Sequence, residues 1–164
     1  MITLVLGGAR SGKSEVAERL ASRLGEPVTY VATGTAADDD ADMAARIERH
    51  RARRPASWAT VEAGPDLGDV LRGIEGPVLL DALGTWLAGS RDFAVDGRDL
   101  CVALRERSGD TVVVSDEVGM GVHPSSELGR RFRDALGLLN QDVAEVADEV
   151  LLVVAGRALR LDRV

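Results

Sequence analysis

Residues 7–14 read Gly7-Gly8-Ala9-Arg10-Ser11-Gly12-Lys13-Ser14, a G-x-x-x-x-G-K-S run. The apolar stretch Ile2–Leu6 precedes it. Val16, Ala17, Leu20, Ala21 and Leu24 follow at helical spacing, with Gly25 as the stop. A buried strand, a glycine turn and an amphipathic helix in that order leave few folds open. Gly7 and Gly12 permit backbone conformations that aim N–H groups into one concavity. The helix starting near Lys13 turns its positive end on the same point, so an anion belongs there. The pattern assigns Lys13 to the β- and γ-phosphates of a nucleotide and the Ser14 hydroxyl to Mg²⁺. All but one of the 20 basic residues are arginine, and the exception is Lys13. A compact ammonium and a planar guanidinium are not interchangeable, so the lone lysine marks the same loop again.

Further short apolar, β-branched runs read as buried strands at Val28–Ala32, Trp58–Val61, Val78–Leu80, Thr111–Val114 and Val150–Val154. Leu159–Leu161 forms a last strand across the Ala155-Gly156-Arg157 turn. Leu128, Phe132, Ala135, Leu139, Val143 and Val146 make a long helical stripe. Strands alternating with helices imply an α/β fold. Its sheet is mostly parallel, has helices on both faces and ends in a C-terminal strand hairpin. A length of 164 residues fits a single domain, 1–164. Aromatics are only 3%, so the core is built from Val, Leu, Ala and Ile.

Charge and composition exclude several classes. A net charge of −7 argues against a non-specific nucleic-acid binder. No apolar run approaches the roughly 20 residues a membrane span needs. The N-terminus lacks the basic and long apolar regions of a signal peptide. The one cysteine, Cys101, makes no internal disulfide, which points to the cytoplasm. Cys101 lies in an apolar helical pattern and reads as buried and inert.

Two strand ends offer carboxylates for the metal shell: Asp81 after Val78–Leu80, and Asp116-Glu117 after Val112-Val113-Val114-Ser115. In a doubly wound sheet ligands bind at the carboxyl ends of strands, so both fit. The run Asp38–Asp42 reads as a solvated loop and helix start. Residues 41–54 read as a charged helix with Met43, Ile47 and His50 on one face. Arg46, Arg49, Arg51, Arg53 and Arg54 surround His50. Such cations favour a neutral imidazole, which beside phosphates is a nucleophile. A half-buried histidine on a salt-bridged surface helix explains the same residues. His123 reads as a surface loop residue, and Gly119 and Gly121 mark a segment able to close over substrate.

Taken together, the motifs resemble one family, the bifunctional adenosylcobinamide kinase / adenosylcobinamide-phosphate guanylyltransferases of cobalamin biosynthesis. The matching segments are GGARSGKS (7–14), TYVATG (29–34), DMAARIERHRARRPASWATVE (42–62), VLLDALGTWL (78–87), VVVSDEVGMGVHP (112–124) and RRFRDALGLLNQDVAEVADEVLLVVAG (130–156). The resemblance implies a RecA-like P-loop NTPase fold and two reactions. ATP or GTP phosphorylates adenosylcobinamide, and GMP then passes from GTP to the cobinamide phosphate through a covalent histidine–GMP adduct. The family's R-I-x-x-H-[RK] segment falls on Arg46–Arg51, which makes His50 the implied nucleophile. Its guanine-nucleotide contacts map to Gly7, Gly8, Ala9, Arg10, Ser11, Gly12, Lys13 and Ser14. They continue at Thr33, Gly34 and Thr35, at Arg51, Ala52, Arg53 and Arg54, and at Glu62 and Asp81. Of the two carboxylate positions the resemblance favours Asp81 for the Mg²⁺ shell. It also implies a homo-oligomer, typically a trimer.

The chain departs from the family's pattern at several positions. Gly84 stands where Thr is typical, Asp116 where Asn is common, and Leu138 where Arg or Lys is frequent, and the segment after Trp86 is short. A P-loop small-molecule kinase without guanylyl transfer shares Lys13 and Ser14 but has no use for His50. A regulatory GTPase is excluded, because its guanine-reading motif needs a second lysine.

Overall fold

The structure, a computed structural model, describes residues 1–34 and 54–163. The expectations for Thr35, for Asp38–Asp42, for Arg46, Arg49 and His50, and for Arg51, Ala52 and Arg53 lie outside these residues. Within them the strands are β1 (Ile2–Gly7), β2 (Thr29–Ala32), β3 (Ala59–Glu62), β4 (Val78–Asp81), β5 (Thr111–Asp116), β6 (Glu149–Val154) and β7 (Arg157–Leu161). The helices are α1 (Lys13–Ala21), α2 (Leu67–Arg72), α3 (Leu83–Ala88), α4 (Gly97–Glu106) and α5 (Glu127–Val146).

All the described strands join one sheet in the order β3-β2-β4-β5-β1-β6-β7. Neighbours are parallel except for the antiparallel β6–β7 hairpin. The apolar runs are continuous rather than alternating because both faces are covered. Leu4 and Val5 show the consequence, since both are fully buried and they face opposite sides. Leu4, Val31, Leu80 and Val113 pack against α2, α3, α4 and α5 through Leu71, Trp86, Leu100 and Leu139. Val5, Leu79, Val114 and Val153 pack against α1 through Val16, Ala17 and Ala21. Losing one such aliphatic side chain to alanine costs roughly 2–5 kcal/mol.

Local signals end the elements. Gly25 adopts φ +107, the left-handed conformation expected of the stop after α1. Asp96 and Ser126 cap α4 and α5, their side chains accepting the N–H of Asp99 and Gly129. Arg107 closes the turn after α2. Its guanidinium donates to the carbonyls of Leu71, Ile74 and Gly76 and to the Thr111 hydroxyl. Cys101 is half-buried rather than buried, because its side of α4 meets α5 only partly. Its thiol reaches the Asp142 carbonyl at 3.4 Å, and burial pushes its pKa up.

The register decides what meets at the carboxyl edge. Gly7 pairs with Asp116, and Asp81 pairs with Val114. Side chains alternate along a strand, so Asp81 and Asp116 share the face of Leu79 and Val114, the face that α1 covers.

Candidate functional site

The loop between β1 and α1 is shaped by close backbone approaches. A Cβ on Gly7 would come within 2.9 Å of the Val153 carbonyl oxygen and would crowd Ser11 Oγ. Gly12 has φ +91 and caps α1, and a Cβ there would lie 3.1 Å from Gly156 Cα. The Gly156 N–H donates to the Ser11 carbonyl at 2.7 Å, so the turn before β7 forms the floor of the loop. Arg10 also takes a positive φ of 57. The Ser11 N–H donates to the Gly8 carbonyl, and Ser11 Oγ accepts the Lys13 N–H.

Lys13 and Ser14 open α1 and are both buried. The Lys13 ammonium, 5% exposed, lies 2.7 Å from Asp116 Oδ1 and 3.4 Å from the Gly8 carbonyl. Burial of a cation without an anion is costly, and Asp116 supplies the anion. Two contacts with α5 fix Asp116 in turn. Asn140 Nδ2 donates to the Asp116 carbonyl at 3.0 Å, and the buried Ser115 hydroxyl donates to Asn140 Oδ1 at 2.6 Å. Glu117 is engaged elsewhere, accepting the N–H groups of Gly119 and Met120.

Asp81 sits one strand further from the loop. It accepts the Tyr30 hydroxyl at 2.9 Å. Burial first, and then the Asp81 charge, push the phenol well above its ordinary pKa. The Arg54 guanidinium lies 3.6 Å above the Tyr30 ring, a cation–π stack, and reaches Thr60 Oγ1. Arg54 is thereby tied through Tyr30 to Asp81.

Thr33 and Gly34 follow β2. The buried Thr33 hydroxyl donates to the Ala82 carbonyl at 2.6 Å, accepts the Ala82 N–H at 3.0 Å and lies 2.7 Å from the Thr85 hydroxyl. Gly34 packs on Thr85 so closely that a Cβ would touch it at 3.4 Å. Glu62 ends β3, exposed, in register with Ala32, which pairs with Asp81 on its other side. That places Glu62 and Asp81 two strand spacings apart, roughly 10 Å. His123 is exposed in its loop, its Nδ1 2.9 Å from the Arg133 guanidinium.

The structure thus gathers Gly7–Ser14, Asp81 and Asp116 along the carboxyl edge, with Thr33, Gly34, Arg54 and Glu62 on the β2–β3 side. Sequence reasoning missed Tyr30 and Asn140. Both lie in segments that carry the resemblance, TYVATG (29–34) and the 130–156 stretch, but the resemblance gives neither a role.

The Ser14 hydroxyl and the Asp81 carboxylate are hard oxygen donors, whereas Asp116 is taken up by Lys13. Mg²⁺ takes one or two of these from protein and the rest from phosphates and water. Among the described residues no group of three or more His, Cys, Asp or Glu is placed to hold a metal. Ser14 and Asp81 are donors of the kind that complete the shell of a Mg²⁺ carried by phosphates.

Comparison with known proteins settles the relationship. Residues 3–161 match the family model described as cobinamide kinase / cobinamide phosphate guanyltransferase. The chain belongs to this CobU family. It is 42% identical to the bifunctional adenosylcobalamin biosynthesis protein CobP of Pseudomonas aeruginosa, covering 98% of this chain and 97% of the relative. It is 38% identical to the bifunctional adenosylcobalamin biosynthesis protein CobU of Escherichia coli K12, covering 98% and 99%. As a member of the CobU family it is a transferase of cobalamin biosynthesis, with kinase and nucleotidyltransferase activity. A prototypical ATPase from the type III secretion system of pathogenic bacteria shares the fold, with TM-score 0.59 and 11% identity. The match covers 92% of this chain, which spans about half of that ATPase. The expected P-loop NTPase fold with a mostly parallel sheet is therefore borne out. No helix among the described residues is long and apolar enough to cross a membrane.

Proposed function

We propose that a single domain, residues 1–164, performs both family reactions on one nucleotide cradle. The acceptor of the first is the hydroxyl of the aminopropanol arm of adenosylcobinamide, and the donor is ATP or GTP. The observation that carries this reading is the buried Lys13 ammonium at the head of α1, beneath the Gly7–Gly12 turn. It is a cation held where a triphosphate needs one.

In phosphoryl transfer the acceptor hydroxyl oxygen bonds to the γ-phosphorus as the bond to the β,γ-bridging oxygen breaks, and the hydroxyl proton passes to solvent. The nucleoside diphosphate then leaves. Lys13 and the loop N–H groups neutralise the charge that grows on the transferring and leaving oxygens. Mg²⁺, when bound with the nucleotide, adds charge neutralisation on the phosphate oxygens, with Ser14 and Asp81 to hold it. Tyr30 orients the Asp81 carboxylate for that task.

In the second reaction a neutral His50 ring nitrogen attacks the α-phosphorus of GTP and pyrophosphate leaves. The phosphate of cobinamide phosphate then attacks the bound GMP, and His50 departs. This gives adenosylcobinamide-GDP by ordinary two-step covalent catalysis. The assignment to His50 rests on the Arg46–Arg51 segment and its arginines. Arg51, Ala52, Arg53, Arg54, Thr33, Gly34, Thr35 and Glu62 complete the guanine-nucleotide contacts. The protein works in the cytoplasm as a homo-oligomer, a trimer in the manner of its family.

The test is incubation with GTP radiolabelled at its α-phosphorus. An acid-labile protein label that His50→Ala abolishes is the expected result. Kinase turnover with no label would leave a phosphotransferase alone.

A further inference from the structure

Lys13 is committed before any nucleotide arrives, because its ammonium already holds a carboxylate at 2.7 Å. The lysine side chain is 5% exposed and the aspartate 28%, so the pair is sealed on the lysine side and open on the other. The backbone of Asp116 is pinned by register to Gly7 and by Asn140 Nδ2 to α5. Only the side-chain torsions of Asp116 are left to move. The carboxylate has room for one reason: its Oδ2 occupies the space a Cβ on residue 84 would fill. The three nearest atoms such a Cβ would meet beyond its own helix belong to the Asp116 side chain. The other acidic groups of this edge have different partners: Asp81 takes the Tyr30 phenol, and Glu117 takes two backbone N–H groups.

We infer that Asp116 is a built-in counter-anion, a positioning residue that competes with the nucleotide for Lys13, and that Gly84 is the gap that admits it. A triphosphate reaches the ammonium by exchanging with the carboxylate, which swings toward its open side. Resting Lys13 is thereby held in place, and the protein's grip on the β- and γ-phosphates is lowered by the strength of the contact given up. This rests on the cradle reading of Lys13 given above. Asp116 and Gly84 set how tightly the nucleotide is held and how readily the spent diphosphate leaves.

The measurement is calorimetric titration of the intact protein with a non-hydrolysable GTP analogue, alongside KM and kcat for GTP as phosphoryl donor. Asp116→Asn keeps the shape and removes the charge, so the Kd falls about tenfold, the scale of one charge-assisted hydrogen bond. KM falls with it, and kcat does not rise. Gly84→Ala puts a methyl group where Oδ2 sits and displaces only the end of a flexible side chain. It tightens binding in the same direction. In the Asp116→Asn background the same methyl adds nothing, because there is no charge left to displace. A purely structural role predicts the opposite for Asp116→Asn, namely weaker or unchanged binding with a lowered urea midpoint, and either result overturns the inference. If Asp116→Asn does not fold, Gly84→Ala decides alone, and an unchanged Kd overturns the inference. Lys13→Ala tests the underlying reading separately. A loss of affinity there beside an unchanged Asp116→Asn refutes the counter-anion alone. Wild-type affinity in Lys13→Ala removes the cradle itself.

Discussion

Tyr30 donates its phenolic proton to Asp81 from a buried position under the Arg54 guanidinium. The bond joins β2 to β4 and anchors one oxygen of the Asp81 carboxylate. Tyr30 is the chain's only tyrosine, so its titration is directly visible. The folded protein holds the phenolic proton well past the ordinary range, chiefly through burial and then through Asp81. Absorbance near 295 nm should stay flat as the pH rises past about 10, whereas the urea-unfolded chain ionises there. Below that pH Tyr30 adds no pH dependence to stability. Above it the unfolded chain releases a proton that the folded one keeps, so stability falls as the pH rises. A folded protein with a normal tyrosinate transition would disprove the contact. Tyr30→Phe should lower stability by about 1 kcal/mol and keep the Arg54 stack.

Lys13 and His50 should separate by reaction. Lys13→Ala loses a charge contact to the transferring phosphoryl group, and kcat for kinase turnover should fall by about 10²–10³. His50→Asn should retain kinase turnover and lose covalent GMP. Equal loss of both activities in His50→Asn would give that residue a structural role.

Gly12→Ala forces a side chain into a left-handed conformation against Gly156. The conformational part alone costs about 1–2 kcal/mol. Urea unfolding should show at least that loss, and GTP affinity should drop with it. Gly121 has nothing within 4 Å of a would-be Cβ and no positive φ. Gly121→Ala should stay within about 0.5 kcal/mol of wild type in the same assay.

Asn140→Ala strands the buried Ser115 hydroxyl and unties the end of β5. The cost should be about 1–3 kcal/mol by chemical denaturation. Because Asn140 holds the Asp116 backbone beside Lys13, the KM for GTP should shift alike in the kinase reaction and in His50 labelling, which draw on one cradle. Wild-type stability in this variant would mean that water replaces the amide.

The elements legible in the sequence were those with a strong local signal. Ile2–Leu6, Thr111–Val114 and Val150–Val154 are apolar, β-branched-rich runs, the first two buried almost throughout and the third half-buried on one face, and the structure extends each by one or two residues. The hairpin at Ala155-Gly156 and the helix over 127–146 were equally plain. The helices α2 and α3 have six residues each, too few to show an apolar period. The loop motif named its own residues. The partners that hold those residues were hidden, because contact between Lys13 and Asp116, or between Tyr30 and Asp81, is made by strand order and not by spacing. Asn140 was hidden for the same reason: an amide on a helix face gives no sign of which strand end it meets.

The floor under the phosphate loop comes from the far end of this sequence. Gly12 and Ser11 close on Gly156, while β1 needs β5 and β6 as flanks. A ribosome therefore delivers the nucleotide-gripping glycines more than a hundred residues before the turn that supports them. A nascent chain halted before Gly156 carries the whole motif and still has no finished pocket. Nucleotide capture by this fold thus waits until Gly156 has been made and folded back.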